Sequence, residues 1–321
     1  MNNIREHIYL SAILHEIGKF YQKADTENIT ITSSPINIGE LEDLFYLKQE
    51  AKYTLWTKLF IKENQQVFNK LLKNTQNESS NKDNLKSLVK SQINKIEQII
   101  KEALLLSSGK EYYTEEHSTE SESNWKSCKN ERLIPILETI GNQDELLTNK
   151  EWHQLPVQKL IPSIDNFPQQ EITEVPNFSN LWKEFKSEFD SLTHGTYQTF
   201  SGNLLTLLYK YTSFIPSNIT HSPDISLYDH IKTTTALAIC LYDLMCSGEK
   251  PKDRFLLIGA DLSGIQSYIY QIVSKYAGKN LKGRSFYIRL LSDAVVRYLL
   301  KQLNLFQANI IYNSGGGFYL L

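Results

Sequence analysis

Cysteine is scarce, with three in 321 residues (Cys128, Cys240 and Cys246), an odd number without metal-finger spacing. That excludes a disulfide framework and a zinc finger, and predicts reduced, partly buried thiols. Long apolar runs are missing too. No stretch approaches the roughly 18–20 uninterrupted apolar residues of a membrane span, so an integral membrane protein is not expected. The opening MNNIREHIYLSAILHEIGKF breaks its apolar pattern with Arg5, Glu6, His15 and Glu16. No signal-peptide core has such a composition, and a cytoplasmic protein without membrane association is expected. Nor is there a large charge excess, since 34 Lys and Arg stand against 36 Asp and Glu, a net −2. The whole chain therefore advertises no polyanionic partner. No internal repeat is visible.

Apolar material is sufficient: 41% hydrophobic and 22% charged residues exclude a wholly disordered chain. The length corresponds to about two domains of roughly 150 residues. Charge is uneven along it. Glu249 to Lys301 carries ten Lys and Arg against four Asp and Glu, which is either a solvated basic face or a surface for a phosphate-bearing partner.

Helical spacing of Ile4, Ile8, Ala12 and Ile13 predicts an amphipathic helix over 2–24, with Gly18 as its break. Residues 25–40 are turn-rich. Helical patterns resume over 41–73 and 82–106, and the acidic, serine-rich 107–127 is expected to be an exposed, mobile loop. ERLIPILETI predicts a short helix, and Pro156, Pro162, Pro168 and Pro176 punctuate extended pieces. NLWKEFKSEFDSL, SGNLLTLLYKYTSFI and the mostly apolar Leu227–Met245 predict three more helices. After them the character changes. RFLLIGADLSGIQ predicts a buried central strand with Ser263 starting a helix. GRSFYIRLLSDAVVRYLLKQL predicts an amphipathic helix with Phe286, Leu290, Val295 or Val296, and Leu299 on one side. ANIIYNSGGGFYLL predicts a hairpin. The order β–α–α–β–β opens a ferredoxin-like or palm-type sandwich. Such a sheet normally continues, and the sequence stops in an apolar strand, so the front part of a larger protein, a split gene product or a truncated chain is expected.

Several residues are chemically competent. His15-Glu16 pairs an imidazole with a carboxylate, as metal-dependent phosphohydrolases of the HD type do, but such a site needs further ligands and no His follows until His117. A structural His is the plainer reading. Asp261, Ser263, Gly264 and Gln266 follow an apolar strand, where phosphates and their cation are often held. Asp261 or Ser263 as a simple helix cap is the alternative. Gly315, Gly316 and Gly317 allow positive φ and close approach of a ligand, or form a plain tight turn. Lys279, Lys282 and Arg284 can reach a triphosphate or an RNA backbone, or face solvent. Asp229 or Ser226 is expected to cap the helix that carries His230, with His230 packed between domains.

LSAILHEIGKFYQKAD resembles the N-terminal HD motif of the large subunit of type III-A CRISPR effector complexes (the Cas ten family, Csm type). LLSSGKE, WKSCKNERLIPI, DISLYDHIKTTTALA, LIGADLSGIQSYIY, LKGRSFYIRLLSD and ANIIYNSGGGFYLL resemble further blocks of that subunit in the same order, most specifically over 224–321. The resemblance implies an α+β protein: a degenerate all-α HD-like domain over 1–112, loop, linker and helices over 113–250, and over 251–321 the first part of a ferredoxin-like palm domain, incomplete at its C-terminus. In that family the HD domain cleaves single-stranded DNA with divalent metal. Its paired palms make cyclic oligoadenylates from ATP when target RNA is bound, using a Gly-Gly-Asp-Asp turn of the second palm, a string this sequence lacks. Here Glu16 stands for the family's Asp, and Leu104 for a metal-bridging Asp, which predicts a structural remnant without nuclease activity. An active single-strand DNA nuclease or phosphohydrolase using His15 and Glu16 is the alternative, and a stand-alone nucleotide-binding module a third reading. Asp261, Ser263, Gly264, Gln266, Lys282, Arg284, Ser285, Gly315, Gly316 and Gly317 carry over as a nucleotide-binding surface. ATP with Mg²⁺ or Mn²⁺ is implied only in the complete assembly. The implied partners are Csm-type effector subunits, CRISPR RNA and target RNA through the complex, and a second polypeptide carrying the rest of the large subunit.

Overall fold

The break near the start of the chain falls at Glu16, two residues before the expected Gly18. In the computed structural model, which describes residues 2–25, 45, 53–76, 82–108, 131–140, 152–170, 172, 174–192, 196–217, 224–249, 251–271 and 276–321, α1 (Asn2–His15) ends there and α2 (Ile17–Ala24) begins. Gly18 lies inside α2 and serves a different purpose. A Cβ on it would sit 2.1 Å from the Tyr53 carbonyl oxygen and 2.4 Å from Thr57 Oγ1. The missing side chain is thus what lets α3 (Thr54–Glu63) cross so closely. The Thr57 hydroxyl accepts from the Gly18 N–H at 3.1 Å and donates to the His15 carbonyl at 3.2 Å, bridging the interrupted helix.

Helices α4 (Gln65–Gln76), α5 (Lys82–Ser108) and the short α6 (Ile136–Ile140) follow, then α7 (Phe178–Asp190), α8 (Tyr197–Thr212) and α9 (Leu227–Ser247). Phe178, Leu181, Trp182, Phe185 and Phe189 recur at helical spacing and are all buried on one side of α7. They meet an aromatic cluster: Phe20 lies 5.0 Å from Trp182, Phe60 5.0 Å from Phe189, and Phe185 5.8 Å from Tyr211 between ring centroids. Side chains fix the helix starts, Asn177 accepting from the Asn180 N–H and Thr196 from the Thr199 N–H. The proline-punctuated stretch from 152 holds an isolated antiparallel bridge, Gln154 with Gln169, and a 3-10 turn, Ile164–Asn166, and is otherwise irregular. Segments 26–44 and 109–130, with His117 and Cys128, lie outside the described residues. Cys240 is half-buried, whereas Cys246 is exposed and not the partly buried thiol expected. No described helix is long and apolar enough to cross a membrane.

The chain forms two compact units, Met1–Tyr242 and Asp243–Leu321. The second holds β1 (Ile258–Asp261), α10 (Ile265–Tyr270), α11 (Ala277–Gln302), β2 (Ile310–Ser314) and β3 (Gly317–Leu320). The strands are antiparallel in the order β1–β3–β2, with Gly259 opposite Tyr319 and Asp261 opposite Gly317. Three expectations change here. Among the described residues β1 is an edge strand and mostly exposed, where a buried central strand was expected. An apolar run signals a strand but not which neighbours the sheet supplies. Ser263 lies in the turn before α10, which starts at Ile265 after Gly264 in the left-handed region (φ 75°). The stripe on α11 is buried only in part: Val295, Val296, Leu299 and Leu300 pack on Ile258, Ile310, Phe318 and Leu320, while Phe286 is 62% and Leu290 49% exposed. Length explains this, because 26 helical residues run about 39 Å and strands of four or five residues only about 13–17 Å.

Candidate functional sites

The first cluster grows from the α1–α2 break. His15, at the end of α1, is buried with its ring edge-on to Tyr53, 6.2 Å between centroids. Glu16, the residue between the helices, is equally buried. Its Oε1 lies 2.6 Å from Lys19 Nζ, one helical turn on, and its Oε2 lies 3.0 Å from His230 Nε2 on α9. The other imidazole nitrogen, Nδ1, is 3.2 Å from Ser107 Oγ at the end of α5, which in turn is 2.7 Å from Thr234 Oγ1. Lys19 also donates to the Ser217 carbonyl at 3.3 Å and stands 5.0 Å from the centre of the Tyr53 ring. Burial by itself would raise the Glu16 carboxyl. The charges of His230 and Lys19, with their hydrogen bonds, override it and hold the group well below the usual carboxylate range.

Chemically this is a carboxylate compensated from within the chain. Two cation-type side chains occupy its two oxygens, Leu104 on α5 is a buried hydrocarbon, and Trp56 on α3 donates to Asp25 at 3.2 Å. Among the described residues no group of three or more His, Cys, Asp and Glu side chains is placed to hold a metal ion. Among the described residues, the donor set at His15-Glu16, with both Glu16 oxygens facing Lys19 and His230, does not offer the several free oxygen or imidazole ligands that hold a divalent cation. Spacing pointed to His15 and Glu16, and Lys19 three residues on was a legible helical pair. Ser107 and Thr234 had no signal. His230, read from sequence as packed between domains, is a partner of Glu16, and Ser226 provides the cap: its Oγ accepts the Asp229 N–H at 3.0 Å and donates to the Asp229 carboxylate at 2.7 Å.

The second cluster surrounds the glycine hairpin. Gly315 and Gly316 form its two-residue turn at φ 65° and 92°, conformations that glycine adopts without strain. Gly317 is the first residue of β3. Gly316 accepts from the Leu262 N–H at 3.1 Å, and a Cβ there would strike Ile265 Cδ1 at 2.4 Å, so glycine brings the hairpin down onto the turn after β1. A Cβ on Gly317 would lie 3.4 Å from Asp261 Oδ1. The structure thus gathers Asp261, Gly316 and Gly317, with Ser263 and Gly264 in the adjoining turn and Gln266 exposed on α10. Arg284 is placed differently from the expected phosphate ligand: its guanidinium covers Tyr268, 5.1 Å from the ring centre, and donates to the Tyr268 carbonyl. Lys282 and Ser285 are exposed on α11.

The architecture is thus a helical unit followed in the chain by a small antiparallel sheet packed on α11. Residues 254–321 match the family profile of Csm1 subunit domain B. A Methanocaldococcus jannaschii protein, described as the single-strand-specific deoxyribonuclease Cas10/Csm1 of the subtype III-A CRISPR system, is 31% identical over 100% of this chain and 42% of its own length. The crystal structure of Csm1 in T. onnurineus superposes with a TM-score of 0.62 at 25% identity, covering 99% of this chain and 39% of that one. A Csm1–Csm4 cassette in complex with AMPPNP gives a TM-score of 0.59 at 23% identity over the same 99% and 39%. The chain belongs to the Csm-type Cas10 large subunits and spans about two fifths of the length of these relatives.

Proposed function

We propose that this chain is the N-terminal portion of a type III-A CRISPR effector large subunit, serving antiviral defence in the cytoplasm as a scaffold and as the non-catalytic nucleotide-binding half of a cyclic oligoadenylate synthase. Residues 1–112 are a degenerate HD-like helical domain, 113–250 join the domains, and 251–321 begin a ferredoxin-like palm. The observation that carries the reading is the hairpin site, where an exposed carboxylate, Asp261, stands beside a backbone stripped of side chains at Gly315, Gly316 and Gly317. Such a surface lets phosphates approach the main chain while the carboxylate holds their cation. Asp261, Ser263, Gly264 and Gln266 orient the nucleotide, with Lys282 and Ser285 on the flanking helix. A second palm, on a further polypeptide or segment, supplies the catalytic metal ligands. ATP with Mg²⁺ or Mn²⁺ is bound in that complete assembly, and related cassettes crystallised with AMPPNP support this. Csm-type subunits are the protein partners, as the Csm1–Csm4 pairing of the relatives supports. CRISPR RNA and target RNA are reached through the complex.

Nuclease chemistry is absent from this reading because Glu16 is satisfied by Lys19 and His230. The description of the relatives as single-strand deoxyribonucleases favours a second reading, metal-dependent cleavage at His15 and Glu16. The proposed role is tested by purifying tagged chain from its native host, with mass spectrometry of bound protein and sequencing of bound RNA. Csm-type subunits, CRISPR RNA and a polypeptide carrying the second palm are expected. Recovery of the chain alone contradicts the proposal.

A further inference from the structure

The face of the sheet away from α11 carries an aromatic pair that the hairpin site does not use. Phe318 and Leu320 are buried with Val296 of α11. Strand alternation therefore turns Gly317 and Tyr319 to the opposite face. The register adds Gly259 and Tyr312 beside Tyr319, and Asp261 and Ser314 beside Gly317. Asn313, the neighbour of Tyr312, confirms the assignment from the other side, since it accepts from Ser292 of α11 at 2.7 Å. Tyr312 is 50% and Tyr319 49% exposed, with ring centroids 6.3 Å apart. Gly259 is what gives the Tyr319 ring its place: a Cβ there would lie 2.7 Å from Tyr319 Cε1. The ring leans across the bare backbone of the edge strand.

The geometry points to Tyr319 as the platform for the base of a nucleoside triphosphate, with Tyr312 as a flanking wall. This rests on the reading of the hairpin as a nucleotide site and says which end of the nucleotide lies where. Tyr319 and Gly317 are two residues apart on one strand face, about 7 Å, the span from a base to the start of its phosphate chain. A base on Tyr319 thus directs its phosphates along β3 to Gly317, Asp261 and the turn at Gly315 and Gly316. Charge selects the occupant. The one charged side chain among Gly259, Asp261, Tyr312, Ser314, Gly317 and Tyr319 is an acid, so among the described residues the strands offer on this face no Lys or Arg to follow a nucleic-acid backbone. A single triphosphate, arriving with a divalent cation that Asp261 can hold, satisfies the same face. Stacking on a tyrosine ring is tolerant of base identity, so the platform supplies affinity and orientation and leaves base selection to other groups.

The test uses the effector assembled with this chain, and two probes, Mg·ATP and Mg·triphosphate lacking base and sugar. Tyr319→Ala is expected to weaken ATP binding about tenfold, as the loss of one base–aromatic stack does. It should leave triphosphate binding unchanged, and Tyr319→Phe, which keeps the ring, should bind ATP as the parent does. The proposal is overturned if Tyr319→Ala binds ATP within about twofold of the parent, or loses triphosphate to the same extent as ATP. The first result leaves the hairpin reading standing. If the parent assembly binds neither probe, the hairpin reading falls and takes the platform with it.

Discussion

Replacing Glu16 by alanine is expected to lower the stability of the helical unit by about 3–5 kcal/mol, because removing one member of a buried ion pair leaves the other uncompensated. Lys19 Nζ would lose its 2.6 Å contact and the His230 imidazole its 3.0 Å one, both away from water. Urea unfolding followed by tryptophan fluorescence measures the change, with Trp56 and Trp182 buried near α2. Pairing Glu16→Gln with Lys19→Met should recover more than half of the loss, since the ammonium is removed and the glutamine amide still meets the His230 imidazole. EDTA should not change the parent's unfolding midpoint. A loss below about 1 kcal/mol would place the pair among contacts of surface strength and contradict the account.

The same unfolding experiment has a pH signature with a definite sign. Glu16 is held below its unfolded value of 4.5, so its contribution is fully present above that pH and is lost only as pH falls toward the lower folded value. His7 acts earlier. Burial lowers it from 6.5 to about 4, so the folded state resists its protonation and stability falls as pH drops from 6.5 to about 4. The acid limb of the stability profile should therefore begin with His7, with the Glu16 cluster still intact.

In the assembled effector, Asp261→Ala combined with Ser263→Ala is expected to weaken ATP binding on the order of a hundredfold, about 2.7 kcal/mol. The reason is the position of the carboxylate. It is exposed at the end of β1 and faces the backbone of Gly317, so a cation shared between Asp261 and a triphosphate would be lost with it. Isothermal titration with a non-hydrolysable ATP analogue measures this without turnover. Unchanged affinity would remove the hairpin from the nucleotide site.

What could be read in advance followed the range of the interactions involved. The stripe of α7 and the hairpin at Gly315 and Gly316 are local patterns, visible as helical periodicity and as glycines at a turn. Gly18 was legible as special but misread as a break. Its reason is the backbone of Tyr53, which approaches from far along the chain. The partner of Glu16 was hidden for the same reason. His230 belongs to α9 and Ser107 to α5, and spacing in sequence carries no trace of that convergence. The apolar run ending at Asp261 announced a strand correctly, while its place at the edge depends on pairings that the run does not encode. Tyr312 and Tyr319 lie on different strands of the hairpin, and only the register sets them side by side on the open face.

The most direct measurement is cleavage of labelled single-stranded DNA by the purified chain in Mn²⁺ or Mg²⁺, beside the His15→Ala variant. With Glu16 committed to Lys19 and His230, no metal-dependent cleavage above the level of that variant is expected. Cleavage that requires the metal and disappears in His15→Ala would contradict it and restore the nuclease reading.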